Sequence, residues 1–379
     1  MLLQTSCFVD IVIVGTGHAG GVAALTLREL GFSGSLMMVG AESHLPHHRP
    51  AFSKEALQLP GWKLVPLAPL EEFKDQDVTL LHSDPVVNGN ANDHTLILAS
   101  GRHLKYGKLV IATGAAPRRI LGPFNPHPAR HVLRTFEDAV AIRHAINRES
   151  KVVVIGGGPI GLETAASLRA QVAEVSVVEA APRLMARSAP PDISAALMTL
   201  HEANGVRIML SSPVASLLSK GKQICIELIS GESLLADVVI EGLGVEPETR
   251  LAVILGLPIS NGIVVNEFYQ THNPAVYAIG DCACPPTGRQ ETWSHAEASG
   301  RTVARALLGK PPEPTSQAYF WTDQYGSRAQ VAGDITSAVD SGSRGAARLY
   351  ARDGRITAAA AIDAPRDFAA ARRLIGQLV

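Results

Sequence analysis

Cysteine is scarce in this chain: four in 379 residues, at Cys7, Cys225, Cys282 and Cys284. None falls in a C-x-x-C or a zinc-ligand spacing, which excludes a disulfide scaffold and a zinc-ribbon site. Cys282 and Cys284 are the only close pair, and they read as reduced structural thiols, because facing sulfurs need a specific geometry. An excess of either charge is absent too. The formal net charge is −1, so no global field directs the protein to nucleic acid or to an anionic membrane. No apolar run reaches the roughly 18–20 residues that span a bilayer. The N-terminus lacks the basic region and cleavage site of a signal peptide; its apolar stretch, residues 8–14, reads as a first buried strand, and the protein as cytoplasmic. Low-complexity segments are absent. With 46% hydrophobic and 18% charged residues, the chain is globular and long enough for two or three domains of about 100–200 residues.

Two segments repeat one pattern. FVDIVIVGTGHAGGVAALTLRELG (8–31) and KVVVIGGGPIGLETAASLRAQ (151–171) each run from a β-branched apolar stretch through spaced glycines into an Ala/Leu-rich helical stretch. Each is followed by another apolar run, SLMMVG (35–40) and EVSVVEA (174–180). Continuous rather than alternating apolar strands indicate parallel sheets covered on both faces. Further strand-like runs lie at 78–82, 94–100, 108–114, within 206–244, and in the stretch 263–282, which stops at a glycine and an acid. A Pro-rich linker is expected at 309–315. Beyond it come strand-like RLYAR and ITAAAAI and a final helical segment, FAAARRLIGQL.

Gly15, Gly17 and Gly20 have the G-x-G-x-x-G spacing, as do Gly156, Gly158 and Gly161. The spacing serves a tight turn, close backbone approach to a pyrophosphate, and close helix-to-strand packing. The helix N-terminus then offers free N–H groups and a positive dipole end. Glu179 follows Gly156 at close to the roughly 20 residues expected of the acid that binds a ribose 2′-OH. A carboxylate there favours NAD over NADP, and Arg183 is near enough in sequence to soften its repulsion of a 2′-phosphate. Two such units mean either two nucleotides or a duplication with one dead site.

Several blocks carry a resemblance. ATGAAPR (112–118), VVVIGGGPIGLE (152–163), NPAVYAIGDCA (273–283) and ETWSHAEASG (291–300) resemble the FAD/NAD-linked reductases of the glutathione-reductase fold. More narrowly, HLPHHRPAFSKEAL (44–57), LRT (133–135), EAAPRLMAR (179–187), YFWTDQYGSRAQVAG (319–333) and RDFAAARRLIG (366–376) are similar to the NADH-dependent ferredoxin reductases of aromatic-ring dioxygenase and bacterial cytochrome P450 systems. The likeness runs over nearly the whole chain, in the same block order. It implies an α/β fold with two Rossmann-like dinucleotide-binding domains, for FAD and NAD, plus a C-terminal α+β domain. The expected boundaries are 1–115 with 245–315 for FAD, 116–244 for NAD, and 316–379 for the last.

The resemblance also implies residue roles. Gly15, Gly17, Ala19 and Gly20 would hold the FAD pyrophosphate; Ala112, Thr113 and Gly114 would run alongside the cofactor. Arg49, Val86 and Arg134 would complete its site, Asp281 would bond the ribityl chain, and Trp293 would pass the isoalloxazine. Gly156, Gly158, Ile160, Gly161, Glu163, Glu179, Arg183, Gly242 and Gly244 would bind NAD. Lys54 and Glu163 fall where the family has an ion pair near flavin N5. A lysine there would stabilise the anionic reduced flavin, with the acid compensating a buried cation. By spacing alone, Lys54 reads as a surface residue and Glu163 as a first-turn acid favoured by the helix dipole; it is the matching RPAFSK and GPIGLE blocks that favour the ion pair. Trp321 reads either as packing or as part of an electron path or docking wall for ferredoxin. The histidines His18, His44, His47 and His48 read as part of a cofactor-facing loop, not a metal site.

The chain departs from the family at Ala41, where an acid usually binds the FAD adenosine ribose. Either the neighbouring Glu42 substitutes there or the ribose has no acid partner. It departs again at Pro159, at Ser299, in a shorter loop between Asp281 and Trp293, and in a missing C-terminal tail. The implied activity takes a hydride from NADH onto FAD and passes single electrons to a [2Fe–2S] ferredoxin that feeds an oxygenase. Two other activities of the fold compete: an NADH oxidase, peroxidase or disulfide reductase, and a redox-sensing flavoprotein like apoptosis-inducing factor. The first needs a redox cysteine, and none lies between Gly15 and Thr113; the second usually carries extra targeting or basic segments.

Overall fold

The computed structural model describes residues 7–120, 127–312 and 317–379, and they form two compact units. One unit comprises Met1–His48, Leu64–Ala116 and Glu246–Ser316; the other Arg49–Lys63, Pro117–Val245 and Gln317–Val379. Residues 313–315 of the expected linker lie outside the described residues.

In the first unit, β1 (Cys7–Val14) leads through the glycine turn into α1 (His18–Glu29), which returns to β2 (Leu36–Val39). Both strands are parallel neighbours, with Ile11 opposite Leu36 and Val14 opposite Val39. On the other side of β1 lies the parallel strand His103–Ile111, itself paired with Val276–Ala278. The strand Val78–Leu81 extends the far edge beside β2, and an antiparallel hairpin, Val86–Asn90 and Thr95–Leu98, extends the other. The continuous apolar run of β1 is explained by its two buried faces. Ile11 and Ile13 pack with Ala23, Ala24 and Leu27 of α1, while Val12 and Val14 pack with Leu251, Ala252 and Leu255.

The second unit repeats the motif as β3 (Lys151–Ile155), α2 (Pro159–Arg169) and β4 (Glu174–Val178). Its parallel sheet runs Arg207–Met209, β4, β3, Val238–Glu241, Arg130–His131. One face is covered by α2, where Leu162, Ala165 and Leu168 are fully buried. The other packs against an antiparallel three-stranded sheet (214–236) through Leu217, Ile224, Ile226 and Leu228. The C-terminal residues form a five-stranded antiparallel sheet with one helix, Pro365–Arg372, seated on it by Phe368 and Ala371. That helix is shorter than the expected segment, because Gly376 takes φ +94° and turns the chain back to pair with Ile356. Arg49–Lys63, grouped by sequence with the first domain, sits in the second unit, where the Phe52 and Trp62 rings pack at a tilt against Phe136.

Candidate functional site: two glycine turns and a buried ion pair

In the first unit, Gly15 has φ +120°, and a Cβ there would lie 2.1 Å from the Ala112 carbonyl oxygen. At Gly20 it would lie 2.3 Å from the Gly15 oxygen. No side chain fits either place, so the backbone itself forms the cradle. Gly17 caps α1 without any side-chain hydrogen bond, Ala19 is buried in its first turn, and that turn carries no acid. By contrast, the helix Phe136–Ala145 is closed by a Thr135–Asp138 capping box. The uncapped end leaves N–H groups and a positive dipole end available to a phosphate. Around it stand Thr113, whose hydroxyl donates to the Glu248 carbonyl at 2.7 Å, and Gly114 at φ +72°. Asp281 sits in a 3₁₀ turn after Val276–Ala278, and Trp293 opens the helix Trp293–Leu307. Glu42 follows β2, its carboxylate 3.6 Å from buried His47. Val86 is buried in the core.

The histidines were legible only as a loop. The structure instead packs His18, the first residue of α1, in tilted contact with His48 and Trp293, with ring centroids 5.4 and 4.8 Å away. Glu297 lies 3.7 Å from His18 Nε2. Burial, then the neighbouring His48, outweigh Glu297 and push His18 from 6.5 down to about 4. A lowered folded value means that the unfolded chain binds the proton first. His18 therefore contributes full stability above about pH 6.5, and loses it as the pH falls towards 4. At about 1.36 kcal/mol per pH unit, that is about 3 kcal/mol. His18→Leu should flatten the fall in urea midpoint between pH 6.5 and 4 relative to the unmodified protein; an unchanged slope would remove His18 from the account. Among the described residues no group of three His, Cys, Asp or Glu side chains is placed to hold a metal.

The second glycine turn has the same construction. Gly156 has φ +112° with a would-be Cβ 2.3 Å from the Gly242 oxygen, and at Gly161 the Gly156 oxygen would be 2.1 Å away. Gly158 caps α2 without a side-chain bond; Pro159, the family departure, stands in the first turn, where a missing N–H costs nothing. Ile160, in that turn, is 46% exposed, an apolar side chain left facing outwards. Glu179, just beyond β4, accepts from the Gly157 N–H at 2.6 Å and the Ala181 N–H at 2.7 Å. Arg183 is directed elsewhere: its guanidinium donates to the carbonyls of Ala186 and Ala189 and to the Ser194 hydroxyl, at 2.7–2.8 Å. Gly244 has φ +83° and lies against the Arg187 guanidinium.

Lys54 and Glu163 do meet. Lys54 Nζ is 3.0 Å from Glu163 Oε1, with 13% and 4% of their side chains exposed. Glu163 lies beyond the first turn of α2, so neither a surface lysine nor a first-turn acid describes the pair. Glu163 Oε2 accepts from the Ser53 hydroxyl, and Oε1 also accepts from Thr322 Oγ1 at 2.8 Å and the Asp323 N–H at 3.4 Å. Nearby, Arg49 Nη1 donates to the Arg134 carbonyl at 2.7 Å. Ser53 and Thr322 were not anticipated. The available signal was Thr322 and Gln324 alternating in YFWTDQ, polar residues on one face of an apolar strand. Trp321 is on the opposite face, stacked on Tyr319 at 5.8 Å. All four cysteines are free. Cys282 is fully buried, which pushes its thiol up, and it donates to the Ile279 carbonyl.

Two parallel sheets, each ending at a side-chain-free glycine turn and an uncapped helix, define a protein built for two dinucleotides. The chain belongs to the pyridine nucleotide-disulphide oxidoreductase family, which it matches over residues 9–300, and matches a reductase C-terminal domain over 319–379. It is 34% identical over 377 residues to the ferredoxin–NAD(+) reductase component of the p-cumate 2,3-dioxygenase system of Pseudomonas putida, covering 97% of this chain and 93% of that one. It is 36% identical over 381 residues to rhodocoxin reductase of Rhodococcus erythropolis, covering 97% and 89%. Its fold matches putidaredoxin reductase, solved in covalent complex with putidaredoxin, at a TM-score of 0.89 with 32% identity over 98% of this chain and 94% of that one. Among the described residues no helix is long and apolar enough to cross a membrane.

Proposed function

We propose that the protein is an NADH-dependent ferredoxin reductase, holding FAD and passing electrons from NADH to a [2Fe–2S] ferredoxin that serves an oxygenase. The observation that carries this reading is the buried Lys54–Glu163 pair, in a chain with two glycine cradles and near full-length likeness to named ferredoxin reductases. The first cradle, with Thr113, Gly114, Asp281 and Trp293, is assigned to FAD; the second, with Glu179, to NADH. FAD when bound supplies the conversion between a two-electron donor and a one-electron acceptor. The chain's own groups bind and orient. The uncapped helix ends hold phosphate. By the family resemblance Lys54 would supply a positive charge favouring the reduced flavin, and Glu163, which it meets at 3.0 Å, keeps that ammonium in place. Cys282, buried and bonded to a carbonyl, has no role as a nucleophile, and no cysteine stands between Gly15 and Thr113, which disfavours disulfide chemistry. Free, partly buried thiols fit a reducing compartment, and we place the protein in the cytoplasm.

The direct test is purified yellow protein mixed with NADH, ferredoxin and cytochrome c. Cytochrome c reduction should depend on the added ferredoxin; rapid reduction without it rules the reading out. Nucleotide choice gives a second check. Two backbone N–H groups fix the Glu179 carboxylate and leave lone pairs for a ribose diol, while the Arg183 guanidinium is turned to the carbonyls of Ala186 and Ala189 and to Ser194. Glu179→Gln should therefore narrow the NADH over NADPH preference in kcat/KM by about tenfold, of the order of one charge-assisted hydrogen bond. An unchanged ratio would show that Glu179 does not set it.

A further inference from the structure

The second unit contains a buried titratable side chain that no step above uses. His201, in the helix Pro191–Ala203, has no exposed surface. Its Nε2 is 2.6 Å from Gln324 Oε1. Gln324 Nε2 is 2.9 Å from Thr322 Oγ1, and Thr322 Oγ1 is 2.8 Å from Glu163 Oε1. Gln324 and Thr322 are 2% and 0% exposed. A continuous line of hydrogen bonds thus joins His201 to the Lys54–Glu163 pair, with no water needed to bridge it.

The chemistry of each group fixes the direction of that line. A carboxamide oxygen only accepts, so His201 must carry its proton on Nε2. The Gln324 amide nitrogen only donates, so the Thr322 oxygen must accept from it, and the single Thr322 proton must then point to Glu163. Had the amide been turned over, its oxygen would face the Thr322 hydroxyl and draw that proton away from the carboxylate. The acceptor-only Glu163 carboxylate therefore determines which way Gln324 faces, and His201, donating from Nε2, holds the amide in that orientation. Burial lowers the imidazole's proton affinity and keeps it neutral, with the Tyr325 hydroxyl 3.5 Å from Nδ1. A second branch reaches the same carboxylate from the other side. Gln58 Nε2 donates to Ser167 Oγ, Ser167 donates to the Ser53 carbonyl, and Ser53 donates to Glu163. With Lys54 and the Asp323 N–H, three donors converge on Oε1 while Ser53 holds Oε2.

We propose that His201, Gln324 and Thr322 are positioning residues, a one-way donor line that fixes the Glu163 carboxylate and through it the Lys54 ammonium for reaction with NADH. This rests on the function proposed above for the Lys54–Glu163 pair. It makes the C-terminal sheet, through the alternate face of Tyr319–Gln324, a part of that pair's support.

Two measurements on the FAD-loaded protein test it. Histidine ¹⁵N NMR near pH 7, with the His201 signal assigned by its loss in His201→Gln, should show a neutral ring protonated at Nε2. A ring protonated at Nδ1, or a cation, overturns the donor direction. Stopped-flow bleaching of the flavin by NADH should be slower at saturating NADH by about tenfold in Thr322→Val, the scale of one lost hydrogen bond to a charged group. Half-saturation should be unchanged, and Thr322→Ser, which keeps the hydroxyl, should restore the rate. A wild-type rate in Thr322→Val, or a serine variant as slow as the valine one, overturns the proposal. Should wild-type protein fail to bleach with NADH, the functional reading fails instead, while the tautomer measurement still tests the donor line.

Discussion

Gly156→Val protein should purify yellow and yet fail to bleach at NADH concentrations that fully bleach the parent. Gly156 has φ +112°, where an L side chain is strained, and a Cβ would sit 2.3 Å from the Gly242 oxygen. A branched side chain must therefore push β3, the turn and the Val238–Glu241 strand end apart, and it fills the space a pyrophosphate needs. The affinity loss should be at least about 100-fold, the cost of displacing several charge-assisted hydrogen bonds at once. Everything that forms the first cradle lies outside this turn, so flavin retention is expected to persist. The mirrored change, Gly15→Val, places its Cβ 2.1 Å from the Ala112 oxygen and should yield colourless protein. Flavin absorbance per chain, with an NADH titration, reads both outcomes. Loss of flavin in Gly156→Val and retention in Gly15→Val would reverse the assignment of the two turns.

Glu163→Leu should damage both the stability of the second unit and flavin reduction. It removes the acceptor for Lys54, Ser53, Thr322 and the Asp323 N–H together. The ammonium is left 13% exposed without its counter-charge, and breaking a buried pair from one side costs about 3–5 kcal/mol. The urea midpoint should fall accordingly, and flavin reduction by NADH should slow by two orders of magnitude or more, because the cation is no longer held. Glu163→Gln keeps one acceptor oxygen and should lie between the two. If Glu163→Leu unfolds no more easily than the parent, the pair does not anchor the second unit.

How much of the fold and site was legible in the sequence depends on how far each signal reaches. The glycine turns were, because their requirement is local: a positive φ and a backbone contact must be met by residues within one strand–turn–helix segment. Glu179 was legible for the same reason, since strand length fixes its distance from Gly156. The packing of His18 against His48 and Trp293 was not. His18 and His48 are far apart in sequence from Trp293, and nothing in HLPHHRP indicates which ring would meet the glycine turn. Arg183 was legible as a nearby cation, but the carbonyls of Ala186 and Ala189 hold it in its loop.

The scarcity of cysteine and the two glycine-spaced segments determined the class of chemistry, because covalent composition and short-range backbone geometry need no tertiary contact to act. The tertiary structure alone decided what surrounds Glu163. Lys54, Ser53 and Thr322 come from segments separated by more than a hundred residues in sequence, and only packing of α2 against both the Arg49–Lys63 segment and the C-terminal sheet brings them to one carboxylate. A buried charge is stable only when every donor around it is satisfied, and that condition is set in three dimensions.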